Sequence, residues 1–173
     1  TLAPTYNIGC IIEAFETVQK QIPASKLYIV GDGCSRKELE FMVEQKGIKN
    51  ICFCGRVSNS NIYSYLDKAD IFISSPVIDN QPMSILEAFN AGLLVISSNV
   101  GGVPYMIENG RTGLLFESDN FVELSEKMLW AVENQERVLA IIEEARKKMP
   151  YYSWEKMRQK LLGIYKKDKI QKK

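Results

Sequence analysis

The sequence predicts an α/β fold, a Rossmann-like doubly wound parallel sheet. Three observations carry that expectation. Short apolar runs alternate with segments of helical periodicity along the chain. The runs are apolar throughout instead of alternating, as strands covered on both faces are. Glycine turns stand where several elements hand over to the next. Right-handed crossovers between such strands place helices on both faces of one sheet.

Taken in order, "IGCIIEAFETVQKQI" (8–22) has apolar residues at helical spacing. "KLYIVGDG" (26–33) is a short apolar run ending in a glycine turn, a buried strand. "SRKELEFMVEQKG" (35–47) is helical, with Ser35 and Glu38 as a capping box and Gly47 as its stop. "NICFCGRV" (50–57) is a strand and "NSNIYSYLDKA" (59–69) a helix. "DIFISSP" (70–76) is a strand, and "SILEAFNAG" (84–92) a helix ending at Gly92. "LLVISSNVGG" (93–102) reads as strand and turn, "VPYMIENG" (103–110) as a short helix with Pro104 in its first turn, and "TGLLFES" (112–118) as a last strand. Residues 120–149 are helical with a break near Asn134, and 153–167 form a final helix. The strands should include parts of 26–31, 51–54, 70–74, 94–98 and 113–116.

The 173 residues, 46% hydrophobic and 25% charged, suit one soluble domain with a real core. A net charge of +1 gives no reason to expect nucleic acid as a partner. No apolar run approaches the ~20 residues of a membrane helix, and no signal peptide is visible. The tail "KKDKIQKK" (166–173), with five Lys and one Asp, reads as a solvated end or as a contact with a membrane surface. The four cysteines, Cys10, Cys34, Cys52 and Cys54, read as buried, reduced thiols, with Cys52 and Cys54 on one face of their strand. They lack the paired spacing of a zinc site. Histidine is absent, which excludes Ser-His-Asp and Cys-His nucleophiles.

In doubly wound sheets ligands bind beyond the carboxyl ends of the strands. The turns to inspect are therefore 31–33, 55–57, 75–84 and 99–102. "GDGCSRKE" is half of a dinucleotide fingerprint; its third glycine is missing. It is either a tight turn with a helix cap or a ligand loop. "SPVIDNQPMSILEAF" (75–89) carries more. Ser84 and Glu87 have capping-box spacing, so one reading is purely structural. In the other, the helix start at Met83 and Ser84 offers free amides and a positive dipole end to a phosphate. Glu87 could then accept hydrogen bonds from a ribose, and Asp79, too early to cap this helix, could hold a second sugar.

These residues, with "IIEAF", "LYIVGDG", "FCGRV", "ADIFISSP", "ILEAFNAGLLVISSNVGGVPYMIENGRTGLLF" and "YSWEKM" in that order, resemble the C-terminal, donor-binding half of a GT-B glycosyltransferase. The family is the large retaining one that includes bacterial polysaccharide and lipopolysaccharide enzymes. The resemblance implies a nucleotide-sugar donor, no cofactor and no metal. Its signature of two acids seven residues apart is met here by Asp79 and Glu87. By that resemblance Glu87 meets the ribose, Asp79 the donor sugar, and the amides of Met83 and Ser84 the distal phosphate. Asn80 and Gln81 belong to the same donor loop, while Gly31, Gly33, Arg56 and Val57 line the nucleoside pocket. Where the family has "EGFG" this chain has "DNQP", with Asp shorter by a methylene and Pro82 lacking an N–H. Where the family has an Arg and a Lys for the pyrophosphate, Thr1 and Tyr6 stand here, so Arg36, Lys37 or Arg56 would have to substitute.

The resemblance further implies that the family's central first strand precedes Thr1 and that the acceptor-binding N-terminal domain lies outside these residues. Residues 1–173 are then expected to be a donor-binding fragment, inactive alone, closed by its helices at 120–173. The sheet should show a gap between 26–31 and 70–74. The acceptor would be a glycan or lipid-linked molecule, and the setting the cytoplasm, at the inner face of the membrane. The alternatives are a degenerate nucleotide-sugar-binding module and a GT-B sugar-nucleotide epimerase; a plain NAD-binding domain fits least.

Overall fold

The computed structural model describes the backbone of residues 1–170 and the side chains of residues 1–165, so the basic tail lies largely outside the described residues. After a short 3₁₀ turn at Pro4–Tyr6, the elements run α1 (Ile8–Gln21), β1 (Leu27–Val30), α2 (Arg36–Lys46), β2 (Ile51–Gly55), α3 (Asn59–Leu66), β3 (Ile71–Ser74), α4 (Met83–Ala91), β4 (Leu94–Ser98), α5 (Val103–Met106), β5 (Leu114–Phe116), α6 (Phe121–Glu133), α7 (Gln135–Lys148) and α8 (Trp154–Ile170). All five predicted strands form and all pairings are parallel. The fold is α/β, as the alternation requires.

Among the described residues the strands make two sheets: β1 with β2, and β3-β4-β5 in that order. Leu27 stands against Ile51 in the first sheet, whose register shifts between Ile29 and Val30, and Ile71 stands against Leu94 in the second, whose register is regular. β1 and β3 do not pair with each other.

β4 is buried along its whole length, as a strand with helices on both faces must be. Ile96 and Leu94 join one apolar cluster with Ile12 and Phe15 of α1 and Leu124 of α6. Val95 joins the other, with Ile85 and Phe89 of α4 and Leu66 of α3. The period of two along the strand thus feeds two cores, one per face. α1 earns its place by burying Cys10, Ile11, Ala14, Phe15 and Val18 at helical spacing.

Some expectations change. The helix at 103–110 is a single turn, because Ile107 takes an extended backbone and buries its side chain on the way to β5. Ser35 stands at the start of α2 without a side-chain capping bond. Only Cys10 of the four cysteines is buried; Cys34 and Cys52 are exposed and Cys54 is half-buried. β2 is an outer strand, and its face carrying Cys52 and Cys54 is incompletely covered. The two do share that face, with sulfurs 3.7 Å apart. Burial raises the Cys10 thiol to about 11.

Candidate functional site

The loop after β3 shapes the site. Ser75 is buried, and its Oγ lies 2.9 and 2.8 Å from the carbonyls of Tyr6 and Asn7. The Val77 amide donates to the Thr5 carbonyl at 2.8 Å. Ahead of them, the Leu2 amide donates to the Asp32 carbonyl at 3.0 Å, and the Ser35 amide to the Leu2 carbonyl at 3.1 Å. Residues 1–7 therefore strap the end of β1 to the end of β3.

That strap explains Gly33. A Cβ there would run into the Leu2 carbonyl oxygen. The close approach that the glycine permits is to this protein's own chain. The wall made by residues 1–7 escaped sequence reasoning, which offered a tight turn with a helix cap or a ligand loop at Gly33.

Beyond the strap the loop turns at Asp79, whose Oδ1 accepts from the Gln81 amide at 3.2 Å. Its backbone is set by the turn after β4: the Gly102 amide donates to the Asp79 carbonyl at 2.9 Å. Side chains at Gly101 or Gly102 would meet the Asp79 or Asn80 carbonyl oxygen, so the glycine pair is what lets the two loops nest.

α4 then starts at Met83, one residue earlier than expected, with Pro82 at its N-cap and no side-chain capping bond. Ser84 is thus inside the first turn and cannot cap it. The capping box Ser84–Glu87 does not form. The Ile85 amide donates to the Pro82 carbonyl at 3.1 Å. The amides of Met83 and Ser84 come first in the helix, where no intrahelical acceptor exists. Helix dipole and free N–H groups together favour an anion there.

Asp79, Pro82, Ser84 and Glu87 line one cavity of about 1200 Å³, together with Thr1, Tyr6 and Ser75. Glu87 is half-buried, one turn into α4, on the side of Ser84. Two carboxylates and a helix start thus share one opening at the carboxyl end of the strands. The cavity continues inward between β1 and β3, where its lining turns apolar.

The remaining predicted residues lie elsewhere. Met83 is exposed by 62%, and Asn80 and Gln81 are exposed on the loop. Gly31, Gly33, Arg56 and Val57 stand at the ends of β1 and β2 and do not line this cavity. Arg36 is occupied: its Nε meets Glu40 at 2.8 Å and its guanidinium stands 3.8 Å from Asp32. The hydrogen bond with Glu40 raises its pKa further. Of the residues lining the cavity at its carboxyl end none is cationic; the lysines on it, Lys26 and Lys68, sit before β1 and β3 at the opposite end. Among the described residues no cluster of three His, Cys, Asp or Glu is placed to hold a metal.

The family model described as glycosyl transferases group 1 matches residues 1–148. An alpha-monoglucosyldiacylglycerol synthase of Acholeplasma laidlawii is 28% identical over 136 residues, 78% of this chain and 34% of that protein. A poly(ribitol-phosphate) alpha-N-acetylglucosaminyltransferase of Staphylococcus aureus (strain COL) is 26% identical over 167 residues, 95% of this chain and 34% of that protein. Among solved structures, a mutant of S. aureus TarM in complex with fondaparinux, alpha-GlcNAc-glycerol and UDP superposes with a TM-score of 0.86 at 26% identity, over 95% of this chain and 34% of that one. The chain spans about a third of the length of these relatives.

Proposed function

The chain belongs to the group 1 glycosyl transferases, and from that premise we propose that it is the nucleotide-sugar-binding half of a retaining glycosyltransferase of hexosyl type. Its fold is that of GT-B glycosyltransferase domains. The observation that carries the reading is the joint presence of Asp79, Ser84 and Glu87 on one opening at the start of α4. A pyrophosphate fits the free amides of Met83 and Ser84. Glu87 accepts from the ribose diol, and Asp79 from a hydroxyl of the donor sugar. Gly31, Gly33, Arg56 and Val57 flank the nucleoside, with Arg36 behind them. Transfer needs an acceptor, a glycan or a lipid-linked molecule, brought by an N-terminal domain outside these residues; residues 1–173 alone bind donor without turnover.

No helix among the described residues is long and apolar enough to cross a membrane. Work at the cytoplasmic membrane face would rest on peripheral contact, for which the basic tail is the candidate.

One observation favours a second reading, a donor-binding module without catalysis. Thr1 and Tyr6 line the opening where cations would neutralise the leaving phosphate, and Arg36 is held by Glu40 and Asp32. Losing such a cation costs several kcal/mol of transition-state stabilisation, on the order of the ~3–4 kcal/mol of a lost oxyanion donor. Calorimetric titration with UDP, GDP and ADP tests the shared premise. Saturable binding of one of them supports it, and none binding any tighter than free phosphate rejects it. Hydrolysis or transfer from the matching nucleotide-sugar then separates the two readings.

A further inference from the structure

One face of β2 carries two thiols side by side. Cys52 and Cys54 are two positions apart on an extended strand, so both project from the same face. Their sulfurs lie 3.7 Å apart, and the Cys54 sulfur is 3.5 Å from the Cys52 carbonyl oxygen. Cys52 is exposed and Cys54 half-buried, so the pair is open to solvent. Free cysteine is among the most buried residue types, and where it is retained, reactivity and metal binding more often than packing explain it.

Two tyrosines frame the pair. Tyr28 stands opposite Cys52 in the register of β1 with β2. Tyr65 of α3 meets Tyr28 edge-on, with ring centroids 6.4 Å apart. The charge of Cys54 is the main cause that raises the Tyr65 phenol above its ordinary value, so the two groups are close neighbours. Burial is the main cause that raises the Cys54 thiol, and its hydrogen bond with Cys52 and the Cys52 charge add to it. A thiol that holds its proton is a poor nucleophile, which speaks against thiol–disulfide exchange. Two thiolates this close repel each other, and a cation between them removes that repulsion.

Metal–thiolate bonds of ~2.3 Å reach across any sulfur separation up to ~4.6 Å, so one ion can bond both sulfurs without backbone movement. Among the described residues no third His, Cys, Asp or Glu joins the pair. Zn(II), which takes four ligands, would be left half-coordinated. A soft monovalent ion that thiolates select is satisfied by two sulfurs.

We infer that Cys52 and Cys54 form a two-thiolate site for a soft monovalent cation of the Cu(I) class. Each thiol releases its proton to solvent as its sulfur bonds the ion. Neither cysteine lines the cavity that holds Asp79 and Glu87, and the inference does not depend on what binds there.

The test titrates residues 1–173 under argon with Cu(I) supplied as its bicinchoninate complex, whose colour is lost as the protein takes the ion. The expected result is uptake of about one Cu(I) per chain, with amide shifts in β2 and at Tyr65 that leave 79–87 in place. Cys52→Ser and Cys54→Ser should each abolish the uptake, and Cys34→Ser should keep it. Excess Zn(II) should not displace the ion. In the parent chain, which needs no variant to fold, bound Cu(I) should protect Cys52 and Cys54 from iodoacetamide while Cys34 reacts as before. No loss of colour, uptake that survives both β2 variants, or uptake that Cys34→Ser removes overturns the inference. So does half an ion per chain with the mass of a dimer, which would place the ion between two copies.

Discussion

The two sheets differ in how much of them is core. In the second, β4 is buried end to end and β5 throughout, and both helix layers close on them. In the first, Tyr28 and Cys52 are exposed, and of its strand residues only Ile29 is buried. Two strands alone are marginal in water. The first sheet holds because α1 covers it and carries Ile12 and Phe15 into the cluster around Leu94 and Ile96. The site follows the same division. Asp79, Ser84 and Glu87 hang on the rigid second sheet and α4, while the turns expected to meet the nucleoside end β1 and β2. A ligand spanning both would tie the weaker sheet to the stronger one.

The largest effect that could break this comparison is on stability. Ile96→Ala removes a fully buried side chain at the meeting of β4 with α1 and should cost ~2–5 kcal/mol. Ile51→Ala, half-buried on β2, should cost less than half as much. Urea unfolding of both variants measures it. Equal losses would mean that the first sheet is as deeply cored as the second.

Next comes the site. Glu87→Ala should weaken nucleoside diphosphate binding roughly tenfold or more, the ~1.5–3 kcal/mol of a charge-assisted hydrogen bond. Asp79→Ala should leave that ligand nearly unaffected and weaken the intact nucleotide-sugar instead. Because no capping bond joins Ser84 and Glu87, the Glu87 variant should melt close to the parent. Calorimetry with both ligands on both variants decides it. Equal losses everywhere would remove the division of labour, and no loss at either position would leave the turn without a ligand role.

The order of strands and helices was legible because each strand's apolar run and each helix's spacing are local signals. The gap between residues 26–31 and 70–74 was expected from resemblance alone, and β1 and β3 do fall in separate sheets. The caps were misread: a Ser-x-x-Glu spacing says where a box could form, yet Pro82 starts α4 one residue early and carries Ser84 past the capping position. Exposure of Cys52 and partial exposure of Cys54 were hidden because the sequence does not say that β2 is an outer strand, while the exposed Cys34 sits in the turn before α2. That Asp79 and Glu87 stand on one strand-to-helix turn was readable from the sequence, and their joint role was implied by the resemblance, whereas the strap of residues 1–7 rests on main-chain hydrogen bonds that no side-chain pattern encodes.

The smallest effect concerns the clamp between α1 and α2, which helps hold the first sheet's cover in place. Lys46 of α2 lies 2.9 Å from Glu16 of α1 and 3.8 Å from Glu13, while Lys20 holds Glu16 at 2.7 Å. The hydrogen bond from Lys20, then that from Lys46, lowers the Glu16 carboxyl below its ordinary 4.5. A depressed carboxylate contributes stability that is present above about pH 4.5 and lost as pH falls through the folded value. Lys46 is shifted the other way, raised above 10.5 chiefly by its hydrogen bond with Glu16, so its share is present below that value and lost as pH rises through the folded one. Lys46→Ala should therefore lower stability at neutral pH by no more than the ~1 kcal/mol of a partly exposed pair. The difference from the parent should shrink near pH 3 and in about 1 M salt, where the pair is screened. Thermal melting of both proteins under the three conditions measures it, with amide exchange in β1 as a local readout. A gap that widens on acidification would show that Lys46 acts through its apolar stem packed between the helices and not through its charge.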